Sequence, residues 1–366
     1  MSRARDLADL GGSADAGGLT GRNLIINGAM TVAARGTSST SDSYQTVDRF
    51  RNTLTGLDNA TVTQSQSSES PDGFSNSYKM TVGGTAESAL AADEIVHCNQ
   101  VIEAQNLQHL QYGASSPLTT TLSFWVRSSI VGTYACHFLR TDTSNRARTE
   151  TYTINTANTW EYKTITIDGD TTNAIANDNG QGISIYWVLA AGSNFTSSDL
   201  SGSWQTYAST GFAYGQTVNL VGTANATWQI TGVQFEVGDT ATPFEHRSYG
   251  DELFACQRYY QAHGNGTNGL SFSIADMPAS IATDTINITG KFFVKMMRAA
   301  PTMVIYSRNS TANKVSLVAT GLDYATSTFA PNVVGVTGFH LVSRSGGSNL
   351  TKGDGFEYGY TADAEL

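Results

Sequence analysis

Proline is scarce in this 366-residue chain, with six in all. That excludes a proline-rich stalk. Cysteine is rarer still: Cys98, Cys136 and Cys256 are odd in number, widely spaced and form no CxxC. The pattern excludes a disulfide framework and a local zinc site. The thiols are expected to pack as small buried hydrophobes, in a chain that folds in a reducing cytoplasm. Charge is thin, at 14% of residues, and its balance is acidic, at −10. An acidic chain favours solubility and fits a phosphate backbone poorly, so no nucleic-acid partner is expected. No apolar run approaches the ~20 residues of a membrane span, so no membrane insertion is expected. The opening MSRARDLADLGG lacks the apolar core of a signal peptide. Catalytic signatures are missing too: there is no GxSxG, P-loop or HExxH, and Gly264-Asn265-Gly266 reads only as a loop. His97, His109, His137, His246, His263 and His340 form no local metal motif and are expected to be packed or on the surface. No fixed repeat occurs, which counts against a β-helix or propeller.

What the chain does hold is short apolar alternation. Length suggests two domains and a terminal arm. Residues 1–20 read as the arm, with Leu7 and Leu10 on one side of about two helical turns before glycines break it. From Asn23, NLIINGAM reads as a strand and turn with Asn27-Gly28 as the turn signal. Asp48-Arg49-Phe50 reads as a strand-end anchor. Period-two alternation marks half-buried strands. In TLSFWVR, Leu122, Phe124 and Val126 share one face, and Thr121, Ser123, Trp125 and Arg127 share the other. TYACHFLR, YKTITID and GISIYWVLA alternate in the same way. A strand around Cys98–Ala104 is expected to run into a helical turn bearing Leu107 and Leu110. Polar loops and little helix signal indicate an all-β fold of two β-sandwich, jelly-roll-like domains with antiparallel sheets. The expected division is 1–20 arm, 21–248 first sandwich, 249–261 hinge and 262–366 second sandwich.

The closing strand of the first sandwich changes phase. Trp228 and Ile230 share one parity, whereas Val233, Phe235 and Val237 share the other. The flip falls at Gly232 and predicts a bulge there. Residues 249–261 predict a short helix with Leu253, Cys256, Tyr259 and Tyr260 on one face. In the second domain Ile286, Ile288, Phe292, Val294 and Met296 keep one parity, as do Val304 with Tyr306, Phe339 with Leu341, and Phe356, Tyr358 and Tyr360.

Candidate chemistry is sparse. Loop 168–178 carries Asp168, Asp170 and Asp178, oxygen ligands of the kind calcium takes, without EF-hand spacing; no metal or cofactor is assigned. Trp204, Tyr207, Phe212 and Tyr214 lie in the Ser/Gly-rich stretch 192–216. Their rings either stack on sugars from an exposed loop or fold down to cap the core. Trp125 and Trp160 are expected to pack within or between sheets. A carboxylate pair for glycoside hydrolysis cannot be read from spacing.

Several segments resemble one family. NLIINGAM, Asp48-Arg49-Phe50, LSFWVRSS, TWEYKTITI, WQITGVQFEVGDTATPFEHRSYGDEL and CQRYYQ are similar to segments of tail-fibre and related appendage proteins of tailed bacteriophages, especially marine and cyanobacterial ones. KMMRAAPT and the terminal YTADAEL are similar too. The resemblance implies a carbohydrate-binding-module-like jelly roll, a homotrimer and a place on the virion. Phe50 departs from the pattern, which has Trp there. The chain also lacks a coiled-coil or β-helical shaft. The expectation is a non-enzymatic virion appendage that attaches to other virion proteins through Leu7 and Leu10 and binds a host surface glycan, with Trp204, Tyr207, Phe212 and Tyr214 as candidate stacking rings. The alternatives are a capsid, neck or tail decoration without a receptor, and, ranked last, a glycan depolymerase.

Overall fold

A computed structural model describes residues 21–264, 273–276, 285–317, 323–325, 329–332, 334–344 and 355–366. The expected arm, with Leu7 and Leu10, lies outside the described residues. The chain divides into two compact units. The first ends at Glu252 and includes Leu366; the second is Leu253–Glu365. Every strand pairing among the described residues is antiparallel, as the alternation predicts.

The first unit is a sandwich of two six-stranded sheets. Its strands are β1 (Ser38–Ser39), β2 (Arg51–Thr55), β3 (Val62–Ser67), β4 (Ser77–Val82), β5 (Ile95–Glu103), β6 (Thr120–Ser128), β7 (Gly132–Arg140), β8 (Arg146–Ile154), β9 (Glu161–Ile167), β10 (Gln181–Ala191), β11 (Gln205–Thr206) and β12 (Thr227–Val237). One sheet runs β1-β3-β4-β12-β6-β9 and the other β11-β8-β7-β10-β5-β2. Inward-facing residues of both meet in one core. Phe124 of β6 packs edge-on against Trp187 of β10 at 5.9 Å and Tyr152 of β8 at 5.2 Å. Trp228 donates its indole N–H to the Tyr152 hydroxyl at 3.2 Å, which satisfies a buried donor. After β5, a 3-10 helix over Ala104–Leu110 buries Leu107 and Leu110, as predicted. All three cysteines are buried, and none is in a disulfide.

The bulge at Gly232 is present. Against β6, Thr231 pairs with Trp125 and Gln234 with Ser123, so one extra residue sits in β12. Gly232 has φ +62°, which glycine adopts without strain. The extra residue restores the apolar phase: Trp228, Ile230, Val233 and Phe235 all reach the core.

NLIINGAM is not a regular strand. It runs beside the end of β12 through mixed bonds that break a ladder. Leu24 N–H donates to Phe235 O at 2.8 Å and Val233 N–H to Gly28 O at 2.9 Å. The Asn23 side chain replaces the backbone at two other places, accepting from Phe235 N–H and donating to Val233 O. Asn27, at φ +61°, bonds Val32 and Asp48 through its carboxamide. A Cβ on Gly28 would sit 2.1 Å from Val233 O. Gly28→Ala is therefore expected to destabilise the first unit by roughly 1–3 kcal/mol, measured by urea unfolding. Next, Arg49 is buried and donates to Val101 O at 2.6 Å, so Asp48-Arg49-Phe50 does anchor the start of β2.

In the second unit one sheet holds β13 (Tyr260–His263), β14 (Ser273–Asp276), β16 (Thr302–Tyr306), β17 (Lys314–Leu317), β18 (Asp323–Ala325) and β21 (Gly355–Asp363); the other holds β15 (Thr285–Phe292), β19 (Phe329–Asn332) and β20 (Gly338–Arg344). Phe293, Met297, Ile305, Phe339, Tyr358 and Tyr360 are among its core. Parity misleads twice here. The structure buries Phe293 and Met297 and exposes Phe292, Val294 and Met296; it buries Ile305 and leaves Val304 and Tyr306 half-covered. The helix α1 covers only Tyr249–Cys256, and Tyr260 starts β13.

Candidate functional site

The loop after β10 does not hold its rings in solvent. Trp204 is buried, donates its indole N–H to Asp168 O at 2.8 Å and packs edge-on against Tyr112 at 5.9 Å. Phe212 is buried against His137 at 4.2 Å, Tyr186 at 5.0 Å and His97 at 5.5 Å. Neither ring has a face free to stack on a sugar. The reason lies in the sheet below. Its outward face carries Ile95, Ala135, Ala147, Tyr186 and Val188, and the loop supplies Leu200, Phe212 and Ala213 to cover them. Burying each large apolar side chain gains ~1.5–3 kcal/mol, which outweighs an open loop. Tyr207 and Tyr214 are only partly exposed; Tyr214 bonds the Asp199 carboxylate.

The acidic loop is also spent on structure. Asp170 is buried and accepts from Arg140 and from Arg146, the latter at 3.3 Å. Asp178 caps Gly180 N–H at 2.7 Å. Asp168 points to solvent, with 83% of its side chain exposed. Among the described residues no group of His, Cys, Asp and Glu gathers where a metal ion would bind.

The other sheet presents a different outer face. Register places Tyr162 of β9, Trp125 of β6 and Thr231 of β12 in one row across three neighbouring strands. Tyr162 is 43% exposed and Trp125 is half-buried. Their centroids lie 5.3 Å apart. Beyond Trp125 the row continues over Gly232, where a Cβ would meet Phe74 at 2.6 Å and Trp125 at 3.1 Å. Phe74 in turn packs on Phe244 at 5.0 Å and His246 at 5.3 Å. The bulge glycine thus lets two rings close over bare backbone.

A charged row lies two residues along the strands. Arg127, Gln229 and Lys79 are register neighbours on β6, β12 and β4. Glu69 ties them together, accepting from Lys79 at 2.7 Å, Gln229 at 2.9 Å and Arg127 at 3.2 Å. Those bonds, led by Lys79 and Gln229, hold the Glu69 carboxyl at about 2. Half-exposed pairs of this kind are worth little stability; their effect is to fix side chains in place. On the opposite flank, Thr164 pairs with Ser123 and Thr166 with Thr121. Tyr162, Thr164 and Thr166 are exposed, while Ile165 and Ile167 of the same strand are buried. The aromatic row therefore sits between two polar margins on a face that is exposed along β9 and covered over β12, where Thr231 and Gln229 are buried, as is Ser123 of β6.

The expectation that Trp125 packs within or between sheets is corrected: it lies on the outer face. Its parity carried the signal. Trp125 alternates with Phe124 and Val126 and shares its face with Thr121, Ser123 and Arg127. A tryptophan on the polar side of an amphipathic strand is the mark of an outward ring. Tyr162, opposite in parity to Ile165 and Ile167, carries the same mark.

The first unit is an all-β sandwich with one outer face closed by a loop and one exposed along β9 but covered over β12, where Gln229, Thr231, Gln234 and Glu236 are buried. No family model matches the chain, and no curated protein matches it. Solved structures similar to it include the enzymatically active domain of tailspike protein 4 of bacteriophage CBA120, at 13% identity and a TM-score of 0.33, covering 59% of this chain and 21% of that one. A family 11 carbohydrate-binding module from Clostridium thermocellum, in complex with a mixed-linked tetrasaccharide, is similar at 10% identity and a TM-score of 0.28, covering 56% and 98%. The N-terminal cellulose-binding domain of Cellulomonas fimi β-1,4-glucanase C is similar at 10% identity and a TM-score of 0.27, covering 58% and 100%. This chain thus spans about a fifth of the tailspike chain.

Proposed function

We propose that this protein is an appendage of a tailed-phage particle whose first sandwich holds a cell-surface glycan noncovalently. The observation that carries the reading is the outward pair Trp125 and Tyr162, flanked by hydroxyl, amide and charged side chains. Aromatic faces stack on the apolar faces of sugar rings, and fixed polar margins supply hydrogen bonds to hydroxyls. The site binds and does not cut. Lys79, Gln229 and Arg127 hold Glu69, the carboxylate of the charged row, below the usual carboxylate range, which does not suit the general acid of glycoside hydrolysis. The segment resemblances support a virion location and a homotrimer, in which three sites would add avidity; attachment through the N-terminal arm belongs to the same proposal. The test is calorimetry of the full chain on a glycan array, with Trp125→Ala and Tyr162→Ala. Each variant is expected to lose roughly tenfold or more in affinity, equivalent to about 1.4 kcal/mol, with little change in unfolding temperature. Undiminished binding in both variants would overturn the site.

One observation favours a role in assembly, alone or in addition. The second unit exposes Phe254 at 51%, Phe292 at 80%, Val294 at 70% and Met296 at 55%. Apolar surface of this kind suits packing against another protein. Light scattering of the full chain is expected to report an oligomer that Phe292→Ser with Val294→Ser dissociates. An unchanged mass would remove this reading.

A further inference from the structure

The shape of the open face says more about the ligand than that it is a sugar. We infer that the ligand is an uncharged oligosaccharide chain lying across the strands, along the row from Tyr162 and Trp125 to Phe74 and Phe244. This rests on the glycan-binding reading above.

Direction comes from register. Tyr162, Trp125 and Thr231 are paired neighbours on three adjacent strands, so the row runs perpendicular to them. Two strand spacings cover roughly 10 Å, and Phe74, which stands over Gly232 of β12, belongs to a cluster of three rings with Phe244 and His246. A single sugar ring covers one aromatic face; a strip of this length is matched by several linked sugars. Gly232 makes the strip continuous, because any side chain there would part Trp125 from Phe74.

The margins fit a chain in the same direction. The Arg127–Gln229–Lys79 row and the Ser123–Thr164 row run parallel to the rings on either side. Each lies two residues along the strands from the rings, roughly 7 Å away. Gln229 and Ser123 are buried, so the groups beside the hydroxyls of a chain stacked on the row are Thr164 on one side and Arg127, Lys79 and Glu69 on the other. Arg127 spends Nε on Asn158 O and Nη1 on Glu69, which leaves Nη2 as a donor toward the row.

Charge selects against an acidic polymer. The most exposed of the three charged groups is the Glu69 carboxylate, at 49%, against 24% for Lys79 and 23% for Arg127. The chain as a whole carries −10. Lys79 and Arg127 outnumber that carboxylate at the margin, so what opposes a uronate chain is the repulsive long-range field of the acidic chain.

The test uses oligosaccharide ladders, from monosaccharide to hexasaccharide, of glucose, galactose, mannose and N-acetylglucosamine, with galacturonate ladders beside them. Affinity of the full chain for one neutral ladder is expected to climb with length and then level off. Phe74→Ala and Phe244→Ala, at the far end of the row, are expected to lower affinity about tenfold for the long members and leave the disaccharide unchanged. His246→Ala, on an exposed side chain, repeats the test without touching the core. A flat length series, a preference for galacturonate, or far-end variants that weaken all lengths equally would overturn the inference while leaving glycan binding intact. Failure of every ladder to bind would overturn both readings.

Discussion

Asp170→Ala is expected to cost the first unit about 3–5 kcal/mol, the range for removing one partner of a buried ion pair. Asp170 and Arg140 are both almost fully buried. The carboxylate accepts from Arg140 and Arg146, and Thr172 N–H donates to it at 3.0 Å. Arg140 cannot retreat to water. Its guanidinium lies over the Tyr112 ring at 5.3 Å and the Trp204 ring at 5.9 Å, and it donates to Asn173 O at 2.7 Å. Burial already lowers the Arg140 pKa, and Asp170 is the main partner that offsets it. Alanine leaves that cation uncompensated. The damage spreads to the covering loop, because Arg146 also donates to Trp204 O at 2.6 Å. Asp170→Asn keeps the shape and loses the charge, so it should fall between wild type and alanine. By contrast, Glu69→Gln removes a half-exposed partner and should cost about 0–1 kcal/mol. Urea unfolding of the three variants checks the ranking. A loss below 1 kcal/mol for Asp170→Ala would mean that water reaches Arg140.

The strands that were legible in the sequence are those with one apolar and one polar parity. β6, β9 and β12 are of this kind, and the phase flip in β12 located its bulge to the residue. β3 and β8, reading VTQSQS and RARTETYTI, carry too few apolar residues to announce themselves; pairing with richer neighbours makes them strands. NLIINGAM misled because its apolar residues and Asn-Gly look like a hairpin. The partners that decide its path, Val233, Phe235 and Asp48, are tertiary. Local sequence left the loop rings between stacking and capping for a related reason. Whether Phe212 faces water depends on His97, His137 and Tyr186 meeting beneath it, and only the register of β5, β7 and β10 brings them together. The open face was half visible: parity put Trp125 outward, but nothing local placed Tyr162 or Phe74 beside it.

The same buried histidines make the first unit acid-sensitive. Burial, first of all, pushes both His97 and His137 down to about 3 from 6.5; Arg51 adds to the effect on His97, and His97 adds to the effect on His137. Geometry also withholds a partner for a second proton. Thr149 donates its hydroxyl to Gly211 O at 2.8 Å, so His137 Nδ1 must be the donor in its 2.8 Å contact with Thr149. His137 Nε2 is then bare and has no hydrogen-bond partner, and neither has His97 Nδ1. With depressed native values, the unfolded chain binds protons that the native chain refuses. Stability is therefore full above about pH 6.5 and is lost as pH falls toward 3. At pH 5 the loss is about 2 kcal/mol per imidazole, or about 4 for the pair, with a slope approaching 2.7 kcal/mol per pH unit. His109, also lowered by burial, adds in the same direction. The window from pH 6.5 to 4.5 isolates the histidines. Below it the depressed carboxyls of Glu69 and Glu161, each at about 2, begin to lose their own contribution. The check is unfolding free energy measured from pH 8 to 4.5, followed by tryptophan emission, with Trp204 reporting the covering loop. His137→Phe is expected to remove close to half of the histidine slope, since it keeps a ring under Phe212 and deletes one titrating site. A pH-independent free energy above 4.5 would mean that the loop admits water to the imidazoles in the native state.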